Sequence, residues 1–138
     1  MRVILEDGAF MPKREHIMDA GLDIMAMHSG IVKAGQSAIF HTGVHIELPL
    51  GTFGDMRSKS GLMFNHDITS DGTIDAGYQG EIMVKLFNHG SEDYNVQRGD
   101  KISQLVISPV VRAEPLEQVE MFDVVTERSS SGFGSTGR

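Results

Sequence analysis

Apolar residues recur at every second position in the clearest segments of this chain, and a period of two rather than about 3.6 commits those segments to strands. Val44-His45-Ile46-Glu47-Leu48 alternates in this way and is ended by Pro49 and Gly51. Ile82, Val84 and Leu86 fall on one face of the stretch from Glu81 to Phe87, before Asn88-His89-Gly90 turns the chain. Ile102 to Ile107 predicts another strand, halted near Pro109. Val3 to Leu5, Ser37 to Phe40, Phe53 to Arg57 and Tyr94 to Val96 predict weaker ones. The 16 glycines are spread evenly among these segments, and only a short turn after Ser60-Gly61-Leu62 offers a helix. Many short strands between Gly, Asn, Asp and Pro turns predict an all-β sandwich or barrel-like jelly roll.

A chain of 138 residues is enough for one domain with a real core and too short for two. Residues 1–127 carry the strand pattern. Arg128 to Arg138 differs, holding one large apolar residue, Phe133, among Gly, Ser, Thr and Arg, and is expected to be mobile on its own. The net charge of −7 argues against direct nucleic-acid binding, which wants a basic face, but leaves room for a small phosphorylated ligand met by a local group of cations. With no cysteine, disulfides, thiol catalysis and a Cys-built zinc site are excluded. Met1-Arg2-Val3-Ile4-Leu5 runs straight into Glu6-Asp7-Gly8, so no secretory h-region is expected, and no apolar run is long enough to span a bilayer. A cytoplasmic protein without membrane contact is the expectation.

Four segments could carry chemistry. Asp75 follows an apolar residue at an expected hairpin end, just before a small-residue turn and Tyr78. It is either an Asx-turn cap or a general base that orients and deprotonates a water. Arg57-Ser58-Lys59-Ser60-Gly61-Leu62 sets two cations and two hydroxyls where a helix could begin, which makes either a capped turn or an anion site. By alternation Gln104 shares the face of Ile102 and Val106, so its amide needs a partner there, in the core or on a ligand. Gly134, Ser135 and Thr136 supply hydroxyls and N–H groups suited to phosphate, without the ending of a P-loop. The six histidines show no metal-ligand spacing, His41 and His45 included, and are expected to be surface or core residues. The nine methionines are expected to fill the core.

In chain order these segments resemble the motifs of the homotrimeric dUTPase family. Asp19-Ala20-Gly21-Leu22-Asp23 is similar to its first motif, and Lys59-Ser60-Gly61-Leu62 to its second. Gly72-Thr73-Ile74-Asp75-Ala76-Gly77-Tyr78-Gln79-Gly80 is close to the third, and Gly99-Asp100-Lys101-Ile102-Ser103-Gln104-Leu105 to the fourth. Arg128 with Gly132-Phe133-Gly134-Ser135-Thr136-Gly137 resembles the fifth, a mobile arm.

The resemblance implies a β jelly roll (β-clip) that hydrolyses dUTP to dUMP and pyrophosphate, keeping uracil out of DNA and supplying dUMP for dTMP synthesis. It implies that Asp75 activates the water that attacks the α-phosphorus. The hairpin from Thr69 to Ile74, with Ser70, Asp71, Gly72 and Thr73, would read the uracil edge, mainly through backbone groups. Tyr78 would pack under the sugar and exclude a ribose 2′-hydroxyl. Lys59, Ser60, Gly61, Gln104, Arg128, Ser135 and Thr136 would hold the phosphates, with Gly134 beside them. Phe133 would stack on the uracil as the arm closes over a neighbouring active site. Mg²⁺ is the implied cofactor, carried mainly by the triphosphate, with Asp23 positioning its waters. The homotrimer would share each site among its subunits.

Three departures stand out from the family pattern. Lys59 replaces the usual Arg, which removes bidentate geometry but keeps a cation, and Arg57 is expected to compensate. Leu22 stands where a Tyr is usual, and Ser129 and Ser131 where glycines are. The competing readings are a dCTP deaminase-like or bifunctional enzyme of the same fold, and a non-catalytic homologue that binds a regulatory protein partner. The dUTPase form of the third motif disfavours the first, and the intact Asp75 the second.

Overall fold

The computed structural model describes residues 1–112, 115–124 and 126 of the chain. Within them ten strands and one helix are arranged in chain order. They are β1 (Arg2–Leu5), β2 (Gly21–Met25), β3 (Gly30–Val32), β4 (Ser37–Phe40), β5 (Val44–Glu47), β6 (Thr52–Arg57), α1 (Ser60–His66), β7 (Ile68–Asp75), β8 (Val84–Asn88), β9 (Tyr94–Val96) and β10 (Lys101–Pro109). A six-stranded sheet in the order β2-β10-β6-β7-β8-β4 forms the body, flanked by the two-stranded ribbons β1-β5 and β3-β9. Each of these pairings is antiparallel.

Alternation builds the core as expected. Val44 and Ile46 point inward from β5, and Val84 and Leu86 from β8, with Ile82 buried just ahead of them. They meet Ile24, Phe40, Met56, Ile68, Ile102 and Leu105 in one contiguous cluster. Asn88 continues the inward face of β8, and its amide donates to the Val32 and Glu92 carbonyls while its oxygen accepts from the Gly90 N–H. The bond to Val32 ties the β8 end to β3 and the other two fix the turn that leads to β9, so this buried polar residue is well partnered.

Several expectations are corrected. β2, β3 and β7 carry no clean alternation of large apolar residues, and none of them was expected as a strand. The stretch from Thr69 to Ile74 is not a hairpin but part of one continuous strand, β7. That strand pairs with β8 through Ile68–Ser70 and with β6 through Asp71–Asp75. A register shift between Lys101 and Ser103 inserts a bulge into β10. The bulge buries Ile102 and Ser103 in succession and reverses the facing of the strand beyond it. Gln104 therefore lies on the half-buried face with Val106, opposite Leu105, and not with Ile102. The methionines are mostly not core filler. Met25 and Met56 are buried, whereas Met1, Met11, Met18, Met63, Met83 and Met121 are exposed.

Candidate functional site

The registers lay four polar residues in a row across the sheet. Asp23 on β2 pairs with Gln104 on β10, Gln104 with Arg57 on β6, and Arg57 with Asp71 on β7. At this end the chain opens a cavity of about 360 Å³, lined in part by Asp19, Gly21, Asp23, Lys59, Lys101 and Gln104. The segments similar to the first, second and fourth motifs thus converge in one place. Gly21 makes room for the amide: a Cβ there would lie 2.9 Å from Gln104 Oε1. The Gln104 amide nitrogen donates to the Ser58 carbonyl at 3.2 Å.

Asp23 is buried, and both its carboxylate oxygens are in use. Oδ1 accepts from Lys59 Nζ, and Oδ2 pairs with Lys101 Nζ at 2.9 Å. Burial alone would push this carboxyl up, but the two ammonium groups together hold it below the ordinary carboxylate value. Lys101 also bonds Glu15 at 2.8 Å, and Lys13 pairs with Glu15 at 3.1 Å. The Glu15 carboxyl is drawn down to about 2 by Lys101 first and Lys13 second. Lys101 is held above the ordinary lysine value by Glu15 and then Asp23. Lys59 sits at the N-cap of α1, where it gives no side-chain capping bond, followed by exposed Ser60 and Gly61. Arg57 does not reinforce it, because its Nε is engaged by Asp55 at 2.8 Å, two residues back along β6.

Asp75 lies elsewhere. It pairs with Phe53, four residues along β7 from Asp71, which is about 13 Å at about 3.3 Å per residue. Its side chain is exposed, and no hydrogen bond or ion pair engages the carboxylate among the described residues. The Tyr78 N–H donates to the Asp75 carbonyl at 2.9 Å, closing the turn that sets Tyr78 beside it. The Tyr78 hydroxyl donates to the Glu81 carbonyl at 2.9 Å, so the ring lies across Gly80. A Cβ on Gly80 would come 2.5 Å from the ring Cζ, so only glycine leaves Tyr78 in place.

Between these two ends runs the segment expected to meet a base. Along Asp71–Asp75 the edge of β7 away from β6 has no strand partner among the described residues. Asp71 and Thr73 are exposed, and Gly72 and Ile74 half-buried. Ser70 is different. It is buried, its hydroxyl meets Ser103 Oγ at 2.9 Å, and its N–H and C=O both bond Ser58 Oγ at 2.9 Å. Its polar groups are occupied inside the fold, which makes it a brace between β7 and β10. Arg128, Phe133, Gly134, Ser135 and Thr136 lie outside the described residues.

Sequence reasoning gave no role to Lys101, Glu15 or Glu81, and it set aside His45, which with Glu81 grips the Tyr78 turn. A charged residue directly after the Gly99-Asp100 turn, in the strand that carries Gln104, was the available signal for Lys101. No cluster of three His, Cys, Asp or Glu side chains able to hold a metal occurs among the described residues. No described helix is long and apolar enough to cross a membrane.

Comparison with known proteins gives a consistent answer. The dUTPase family profile matches residues 7–137. The deoxyuridine 5′-triphosphate nucleotidohydrolase of Clostridium acetobutylicum is 43% identical over 136 residues, covering 96% of this chain and 92% of that protein. The enzyme of the same name from Gloeothece citriformis is 46% identical over the same coverage. Among solved structures, the dUTPase of Staphylococcus bacteriophage 80alpha with dUPNHPP superposes with a TM-score of 0.91 at 31% identity, covering 99% of this chain and 98% of that one. The D95N dUTPase of phage phi11, described with a structural Mg(II) ion, superposes with a TM-score of 0.80 at 30% identity, covering 89% of this chain and 98% of that one.

Proposed function

The chain belongs to the dUTPase family and hydrolyses dUTP to dUMP and pyrophosphate, and from that premise we propose that each active site is assembled from more than one copy of it. The observation that carries this reading is the distance within one subunit between Asp75 and the lysine-rich end of the sheet. A nucleophilic water must sit within hydrogen-bond reach of its base and in line with the α-phosphorus. One subunit offers the base at one end and the cations at the other. A neighbour's Asp75 brought against this chain's Lys59 and Gln104 meets that requirement, and a closed homotrimer does so three times.

In the assembled site the open edge of β7, from Asp71 to Ile74, presents backbone donors and acceptors to the uracil. A fixed backbone pattern rejects cytosine, whose exocyclic amine reverses one contact. Tyr78, held over Gly80, occupies the space that a ribose 2′-hydroxyl would need. Lys59, with Ser60, Gly61 and Gln104, holds the phosphates, and the arm bearing Arg128, Phe133, Ser135 and Thr136 completes and covers the site. Asp75 accepts the water's proton as oxygen attacks the α-phosphorus, and the bond to the leaving pyrophosphate breaks.

The donor set fits a hydrated magnesium ion brought by the substrate and not a protein cage, because Asp23 already spends both oxygens on lysines. When bound, Mg²⁺ neutralises charge on the triphosphate. Asp23, kept charged by Lys101, would help hold the ion through its hydration shell once Lys59 turns to the phosphates. The protein is placed in the cytoplasm on this reading, where dUTP arises.

Coexpression of two inactive subunits tests the composite site. Asp75→Asn and Lys59→Ala homotrimers are each expected to be inactive. Each mixed trimer should recover about a third of wild-type turnover, and a random one-to-one population about a quarter, since a site is intact only when its base comes from the Lys59→Ala subunit and its lysine from the Asp75→Asn subunit. No recovery in verified mixed trimers would show that each subunit completes its own site.

A further inference from the structure

We propose that His45 is a positioning residue for Tyr78, and that its protonated form holds the Tyr78 turn in the shape that rejects ribonucleotides. This inference rests on the reading of Tyr78 as the residue that faces the sugar.

Two contacts pin the turn to the body. Glu81 Oε1 accepts from the Thr42 and Gly43 N–H groups at 2.9 Å each, and its other oxygen meets His41 Nδ1 at 2.8 Å. One residue before Gly80, the Gln79 carbonyl meets His45 Nδ1 at 3.0 Å. His45 stands on β5, a strand anchored in the core by Val44 and Ile46 on either side. The Tyr78 hydroxyl is fixed to the Glu81 carbonyl, so the ring's position is set by the turn that these two grips hold.

The geometry at His45 specifies its charge. Nε2 lies 3.1 Å from Glu6 Oε1 while Nδ1 faces the Gln79 carbonyl. A carbonyl and a carboxylate only accept, so both ring nitrogens must carry hydrogen, which is the imidazolium. The Gln79 carbonyl and then Glu6 hold the imidazole above its ordinary value of 6.5 against a smaller opposing effect of burial, and Glu81 adds to them. The other charges nearby are already matched. His41 is taken by Glu81, and Arg2 by Glu47 further along the same ribbon. A neutral imidazole has one N–H and must release either Gln79 or Glu6. Rising pH therefore loosens the grip on the turn, whereas Glu81 remains ionised and keeps its own.

The test measures kcat/KM for dUTP and for UTP with Mg²⁺ from about pH 6 to about pH 9, spanning the histidine range. The ratio of the two cancels titrations common to both substrates. In the wild type the preference for dUTP is expected to fall about tenfold as pH rises, the size of one charge-assisted hydrogen bond, with the midpoint at which NMR shows His45 to titrate. In His45→Gln the ratio should be low at every pH, and hydrogen exchange of residues 77–81 faster. In Glu6→Gln, a surface change that leaves the ring in place, the midpoint should move to lower pH. Tyr78→Ala tests the underlying reading separately, and an unchanged ratio there overturns it. A ratio relaxed by Tyr78→Ala but unmoved by His45→Gln, or a midpoint unmoved by Glu6→Gln, overturns the role of His45 alone.

Discussion

At one end of the six-stranded sheet Asp23 is buried between two lysines, while at the other Asp75 is exposed with no partner for its carboxylate among the described residues. The contrast separates two jobs that a phosphate-cleaving site must do. Cations that will meet a polyanion need their own charge compensated beforehand, or the empty site repels itself. Asp23 and Glu15 supply that compensation to Lys59 and Lys101. A general base needs free oxygens for a water, and Asp75 has them because no described residue of its own subunit competes. Bringing the ends together inside one subunit would let Lys59 capture Asp75 as it captures Asp23. In the proposed assembly, distance along β7 keeps the base available and a neighbour supplies the cations.

The largest expected effect breaks the comparison at the exposed end. Asp75→Asn keeps the shape and removes the base, so turnover should fall about 10³-fold with dUTP binding retained. Its melting temperature should stay at the wild-type value, since no contact is lost. Asp23→Asn should behave in the opposite sense, lowering Tm by about 5 °C, because two lysines lose a shared buried counter-charge. Calorimetry and steady-state rates on both variants decide the matter. A destabilised Asp75→Asn beside an unaffected Asp23→Asn would invert the assignment of the two ends.

A pH series sharpens the same contrast. Asp23 and Glu81 have carboxyl values lowered in the fold, so the stability they add is present at neutral pH and lost as pH falls through those values. His45 and His41 are raised, so their contribution is present below 6.5 and lost as pH rises through the folded values. The lysine-rich end should therefore loosen only in acid, and the Tyr78 turn in both directions. Hydrogen exchange at residues 77–81 and at residues 20–25, monitored across pH, would show it. Parallel changes in the two segments would mean that they do not fail separately.

These ends were not equally legible in the sequence. Val44 to Leu48 and Ile82 to Leu86 announced themselves because one face is apolar and the other wet. β7 did not, since Thr69, Ser70, Asp71, Gly72 and Thr73 hold a strand through hydrogen bonds to β6 and β8 and not through large apolar side chains. The face of Gln104 was misjudged because a bulge at Lys101–Ser103 depends on the partner strand, which alternation cannot see. The residue types of the site were visible as motifs. Their separation within one subunit was implied only by the family resemblance and not by local pattern, because it is fixed by pairing register. His45 was set aside because its role lies in reaching a loop 34 positions away.

A smaller effect is expected from Gly80→Ala. The atoms nearest the added methyl all belong to the Tyr78 side chain, so the ring moves aside while the fold survives. The preference for dUTP over UTP should drop several-fold, with kcat for dUTP nearly unchanged. An unaltered preference would mean that Tyr78 does not limit sugar access from that position.

The smallest effect is reserved for the departure that looked most serious in the sequence, Lys59 in place of arginine. An arginine there would have to serve the same buried Asp23 that Lys59 and Lys101 now share. A guanidinium prefers to bind a carboxylate through two parallel bonds, and Lys101 already occupies one of the two Asp23 oxygens. Lys59→Arg thus gains little at Asp23 in the empty enzyme, and its advantage would appear only on phosphate oxygens. We expect KM for dUTP to fall about twofold to threefold, with kcat unchanged and Tm not raised. A gain confined to Tm would show that position 59 chiefly serves Asp23, and a gain in kcat would place this side chain on the transition state and not merely on the bound triphosphate.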